Sequence, residues 1–156
     1  MKKPLPTPPT ATLQTHLGYW LRLVSNQVSA GFARGLQARE LSVAEWVALK
    51  QIEGASAVTP AQVAAATGMT RGAISKVLDK LEERRWLARS LSISDNRVQH
   101  LALTARARHA LPELTAIANQ NDEHFFHVLD GAEQALLRGL LQKLAAAHHL
   151  HTVPVD

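Results

Sequence analysis

Cysteine is absent from the chain. That excludes a disulfide framework, thiolate catalysis and a cysteine-based peroxide sensor, and it is what a reducing cytoplasm permits. No stretch approaches the ~18 uninterrupted apolar residues of a membrane span, and the opening MKKPLPTPP has two lysines but no apolar h-region behind them. The chain is therefore expected in the cytoplasm, with no membrane partner. Enzyme signatures are missing as well: there is no G-x-S-x-G, no P-loop, no dinucleotide-binding glycine pattern and no carboxylate pair that a helix or strand would converge. The expected class is not an enzyme, and no cofactor is implied. Eight histidines are present, but none stand at His-x-x-x-His or HExxH spacing. His124 and His127, and the crowded His148, His149 and His151, read as solvated or interface residues, with no metal site.

At 156 residues with 46% hydrophobic content, the chain is of single-domain size and long enough to bury a core. Its net charge of +4 is small but unevenly placed. Residues 71–108 carry nine Lys/Arg against four acids, an excess of five, while the remainder carries eight against nine. All of the excess positive charge therefore lies in one quarter of the sequence, which points to a polyanionic partner.

Four prolines, Pro4, Pro6, Pro8 and Pro9, preclude a helix at the start, and 1–12 is expected to be a flexible arm. The spacing Leu13, Leu17, Trp20, Leu21, Val24, Val28, Phe32 predicts one long amphipathic helix ending near Gly35. Three shorter helices then announce their starts by capping chemistry. Ser42 pairs with Glu45 under a Leu41–Trp46 staple. Thr59 precedes Pro60 and pairs with Gln62 under a Val58–Val63 staple, and Thr70 caps with Met69 stapling to Ile74. Gly68 fits the left-handed end of helix 59–67, so a very tight turn joins it to helix 70–84. That is a helix-turn-helix pattern. After Leu87 the period becomes two, and LARSLSI and VQHLALT flank polar SDNR as a β-hairpin. Thr104 opens a long helical stretch that Pro112 is expected to interrupt, starting or kinking the helix locally. Asp130 and Glu133 cap a last helix with the stripe Leu136, Leu137, Leu140, Leu141, Leu144, and the tail from 149 to 156 is expected to fray.

On a helical wheel, residues 70–84 place Ile74, Val77, Leu78 and Leu81 in one core-facing arc. Gly72, Ser75, Lys76, Asp79 and Glu83 fall opposite, with Arg71 in the first turn and Lys80 on the flank. A helix entering a major groove needs small side chains where its backbone approaches the bases, and hydroxyl or basic ones where it reads them. The loop Ser94-Asp95-Asn96-Arg97 would set an arginine at a hairpin tip, where it can enter the narrow minor groove while a nearby carboxylate aims its guanidinium.

The succession helix, helix, helix-turn-helix, D-x-R hairpin ending in LALT, then two long helices resembles the MarR family of bacterial transcription regulators. The resemblance runs from about Leu13 to Leu144. It is most specific within 67–104, which includes TRGAISKVLDKLEERRWLARSLSISDNRVQHLALT. It implies a mainly α fold with a small β-hairpin wing: a winged helix-turn-helix DNA-binding region over 37–104, and a helical dimerisation region from 13–36 and 105–148. It further implies a homodimer that binds double-stranded DNA at a pseudo-palindromic operator as a sequence-specific repressor. Arg71, Ser75 and Lys76 would lie in the major groove and Arg97 in the minor groove, oriented by Asp95, with Thr70, Gly72 and Lys80 completing the DNA-facing set. Regulators of this family commonly answer to a small aromatic or phenolic effector in the crevice between the two regions. His16, Tyr19, Trp20 and Trp46 are the candidate lining residues, although Trp20 and Trp46, both on apolar stripes, fit better as core anchors. Two positions depart from the family pattern, which usually has Gly at Arg85 and often Gly near Ala107. The alternatives are a winged-helix scaffold that binds protein, supported by Asp79 and Glu83 on the recognition face, and a metal-responsive regulator.

Overall fold

The computed structural model describes residues 12–55, 57–92, 95 and 97–152. The expected arm through residue 11, the turn residues Ser94 and Asn96, and the end of the tail from 153 lie outside the described residues. A 3-10 turn, Leu13–Thr15, precedes α1 (Leu17–Gln37), α2 (Val43–Glu53), α3 (Pro60–Thr67) and α4 (Arg71–Glu83). The strands β1 (Leu87–Leu91) and β2 (Gln99–Leu103) follow, then α5 (Ala105–Phe126) and α6 (Gly131–Ala147). This is the expected fold class, mainly helical with one antiparallel hairpin.

The helix starts follow the capping chemistry. Ser42, Thr59 and Asp130 each form a capping box with the residue three positions on, and Thr70 and Thr104 each accept one amide N–H. Gly68 takes the left-handed backbone, φ 71°, so α3 ends and α4 starts within three residues. Two boundaries differ from expectation. His16 adopts an extended conformation, φ −96° and ψ 126°, which separates the 3-10 turn from α1. The Trp20 indole N–H donates to the Gln14 carbonyl at 2.9 Å and holds that turn back over the helix. At the other end α1 continues past Gly35, which is a contact point and not a stop: a Cβ there would come within 2.6 Å of Ile117 on α5.

Pro112 does not interrupt α5, which runs unbroken through it. The missing N–H costs one hydrogen bond, but Leu111 and Leu114 on either side are fully buried and hold the helix against the core. The tail also differs from expectation as far as Thr152. The Leu150 amide closes back on the Ala145 carbonyl, and Thr152 packs on the helix-turn-helix corner, where a Cβ on Gly68 would meet its Oγ1 at 2.8 Å.

The core gathers Leu36, Leu49, Val63, Ile74, Leu78, Leu81, Leu101, Leu111 and Leu114, from α1 to α5. The hairpin register pairs Leu87 with Leu103 and Arg89 with Leu101. Leu101 also donates its amide to the Val58 carbonyl at 2.8 Å, pinning the hairpin to the entry of α3. No residue of α6 is buried.

At the C-terminus of α4 the amide of Trp86 bonds the Leu81 carbonyl and that of Arg85 bonds Glu82. This is the paired closure that places one residue in the left-handed region. That residue is Arg85, at φ 59°. The geometry expected of a glycine is thus kept without one, whereas Ala107 lies inside α5 and is completely buried. Arg85→Gly should raise stability by about 1 kcal/mol by relieving the Cβ clash, seen as a higher urea midpoint at unchanged m-value.

Candidate nucleic-acid interface

The apolar arc of α4 is buried as its spacing requires: Ile74, Leu78 and Leu81 are each no more than 2% exposed. Burying such side chains contributes about 1.5–3 kcal/mol apiece, which fixes the rotation of the helix. Its opposite face is thereby turned outward, and Arg71, Gly72, Ser75, Lys76, Asp79 and Lys80 are all exposed. Thr70 is exposed too, with its hydroxyl oxygen engaged by the Ala73 amide at 3.2 Å.

A cleft of about 560 Å³ runs between the start of α3, the first turns of α4 and the hairpin. Arg71, Ser75 and Arg97 line it together, so three of the expected DNA-facing residues from two separate elements converge. Lys76, Lys80 and Gly72 lie on the same helix outside the cleft lining.

Asp95 holds Arg97 first through its backbone. Its Oδ1 accepts the Arg97 amide N–H at 2.9 Å, the side-chain-to-backbone bond that shapes such turns. The Arg97 Nε is 3.9 Å from the same oxygen and the side chain is 95% exposed. Asp95 thus binds the Arg97 backbone and stands within ion-pair distance of its side chain.

Arg89 on β1 escaped the sequence analysis. Its Nη2 donates to Asp79 Oδ1 at 2.6 Å and its Nε lies 3.3 Å from Glu82 Oε2, so one strand residue is shared between two carboxylates of α4. The alternation of LARSL marks Arg89 as a strand residue, but only the packed hairpin brings it to α4. Its other consequence is electrostatic: the carboxylate of Asp79 on the recognition face is already paired.

The four effector candidates do not come together in the described structure. Tyr19 and Trp20 form an edge-to-face pair with centroids 5.4 Å apart, and His16 sits at the break before them. Trp46 packs edge-to-face on Phe32 at 5.0 Å. Tyr19 and Phe32 are separated by about 20 Å along α1 at ~1.5 Å per residue. Trp20 is 49% exposed and anchors no core of this chain, whereas Trp46 packs against the core. The Trp46 indole Nε1 is buried and has no hydrogen-bond partner among the described residues. Among the described residues no three His, Asp or Glu side chains group as metal ligands, and no helix is long and apolar enough to cross a membrane.

Residues 40–98 match the model of the MarR family. Solved structures with the same fold include a probable transcriptional regulator from Pseudomonas aeruginosa, 28% identical, covering 85% of this chain and 99% of that one with TM-score 0.74. BpsR of Bordetella bronchiseptica, whose DNA binding is regulated by 6-hydroxynicotinic acid, is 25% identical over 87% of this chain and 97% of its own, TM-score 0.75. CouR of Rhodococcus jostii, solved with p-coumaroyl-CoA bound, is 25% identical over 87% and 96%, TM-score 0.74. The resemblance read from the sequence agrees with both comparisons.

Gly72 has no role in folding that these contacts reveal, since a Cβ there would meet nothing within 4 Å. Gly72→Ala should therefore stabilise the folded chain by about 0.5–1 kcal/mol through helix propensity, measured by thermal or urea unfolding.

Proposed function

We propose that this chain, whose winged helix matches the MarR family, is a cytoplasmic transcription regulator that binds double-stranded DNA as a homodimer and represses by occupying a pseudo-palindromic operator. The observation that carries this is the convergence of Arg71 and Ser75 of α4 with Arg97 of the hairpin on one open cleft. In this reading the first turns of α4 enter the major groove, led by Arg71, Ser75 and Lys76. The capped N-terminus at Thr70 and the side chain of Lys80 meet phosphates. Arg97, set by the Asp95 turn, reaches the adjacent minor groove, where negative potential is concentrated. Gly72 allows the helix backbone to come close.

The unsatisfied helices supply the second half of the argument. A 17-residue helix with nothing buried has little to hold it, yet Leu136, Leu140 and Leu144 form an exposed stripe along it. Leu17, Trp20, Leu21 and Val24 form another on α1. Contiguous apolar surface of that kind marks an interface, and a second copy would bury α1 and α6 together while doubling the DNA-reading surface about a two-fold axis.

Release by a small aromatic ligand is supported by what BpsR and CouR bind and by the unpartnered indole N–H of Trp46 beside Phe32, which could donate to a ligand oxygen. Because Tyr19, Trp20 and His16 lie far along α1, their share in such a site would come through the dimer. The protein-scaffold alternative keeps only Glu83 of its two carboxylates, since Asp79 is paired with Arg89.

Arg97→Ala should weaken operator binding by about 1–3 kcal/mol, and Lys80→Ala should lower the slope of log affinity against log salt by about 1. Titrations of labelled duplex at several salt concentrations measure both. Gly72→Ala, although more stable, should bind more weakly in the same titrations. Leu140→Glu should sediment as a monomer and lose specific binding, because a charge placed in an apolar interface is left unpaired.

A further inference from the structure

The end of the recognition helix is tied to the end of the dimerisation helix by a single side chain. Arg84 caps the C-terminus of α4. Its Nη1 donates to the Glu40 carbonyl and its Nη2 to the Arg39 carbonyl, the latter at 3.4 Å. Both carbonyls lie just beyond α1, where the last turn leaves unpaired oxygens and the negative end of the helix dipole. Glu40 holds the left-handed backbone at φ 56°, and its amide and that of Leu41 close on Gln37 and Leu36, so the carbonyl that receives Arg84 belongs to a fixed corner. The same guanidinium lies 3.9 Å from Oε2 of Glu45. That carboxylate is buried and already accepts the Ser42 amide at 2.7 Å. The Arg84 guanidinium also sits 5.6 Å from the ring centre of Trp86, the residue that opens toward β1. Beyond the corner, the Arg39 side chain is ion-paired with Glu113 on α5.

We infer that Arg84 is a positioning residue: its planar fork joins α4 to the α1–α2 corner and so sets the angle of each recognition helix against the dimerisation helices, and with it the half-site spacing a dimer accepts. This rests on the dimeric DNA-binding reading above. Arginine suits the task because its fork engages two acceptors in one fixed plane, whereas a lysine engages them as a point charge on a flexible stem. Among the described residues, its side-chain hydrogen bonds, ion pair and ring contact go to Arg39, Glu40, Glu45 and Trp86, none of them a DNA-facing residue of the cleft, so its effect on recognition runs through geometry.

The experiment uses the full-length protein and a duplex of its own choosing. The tightest binder is selected from a random-sequence pool with wild-type protein, and one base pair is inserted into or removed from its centre. Each change moves the half-sites by ~3.4 Å and rotates them by ~35°. Wild type should bind the altered duplexes at least about tenfold more weakly than the parent. Arg84→Ala should distinguish them by about threefold or less, with the same dimer in sedimentation, and Arg84→Lys should fall between. If the alanine variant does not fold, Arg84→Lys alone decides the matter by its reduced spacing preference. Equal loss of affinity for all three duplexes with the wild-type spacing preference intact would show a merely stabilising role and overturn the inference. A wild-type protein that enriches no duplex would instead overturn the DNA-binding reading, and the inference with it.

Discussion

The burial of one face of α4 governs everything around it. Ile74, Leu78 and Leu81 meet Leu49, Val63 and Leu101 in the core, and a helix locked by three such side chains cannot rotate. Whatever stands on its other face is then presented outward by necessity. That face places a glycine in the first turn, where an ordinary surface helix would carry a better helix former. It suits a helix whose backbone approaches another molecule.

Charge pairing complements this packing. Of the four acids in the basic quarter, Asp79 and Glu82 are engaged by Arg89, and Asp95 is committed to the hairpin turn. Arg71, Lys76, Lys80 and Arg97 remain exposed. Exposed ion pairs contribute little to stability, so the larger effect of the Arg89 contacts is on the field at the surface. By tying strand to helix they also hold the hairpin beside α4, and the bond from Leu101 to Val58 anchors the hairpin's other side. The cleft between helix and wing is the geometric result.

The helical extensions pose a different balance. α1 packs on α5 through the close approaches at Gly31 and Gly35, and the amide of Asn121 donates to the Val28 carbonyl at 3.1 Å. Yet among the described residues the apolar side chains at the start of α1 and Leu136, Leu140 and Leu144 of α6 stay exposed. The core itself draws on α1 and α5 through Leu36, Ala107, Leu111 and Leu114, so the winged part and the long helices share one interior. Arg84 adds a polar tie, from the end of α4 to the corner that follows α1.

Much of this was legible before any coordinates. The caps at Ser42, Thr59, Thr70, Thr104 and Asp130, the left-handed Gly68 and the buried arc of α4 act over three to seven residues, and local rules act at that range. The misjudged places were those where distant partners prevail. Gly35 is a contact with Ile117, Pro112 is carried through by a packed helix, Trp20 leaves the core, and Arg85 accepts a backbone that glycine usually fills. The sequence by itself determined the order of elements, which face of each is apolar and where the positive charge accumulates, because periodicity and capping are short-range. Only the tertiary structure decided that Arg97 shares a cleft with Arg71, that Arg89 pairs with two carboxylates of α4 and that Arg84 reaches the end of α1. Those meetings join residues seven to forty-five positions apart and lie across different elements, and no local rule encodes the packing that brings them together.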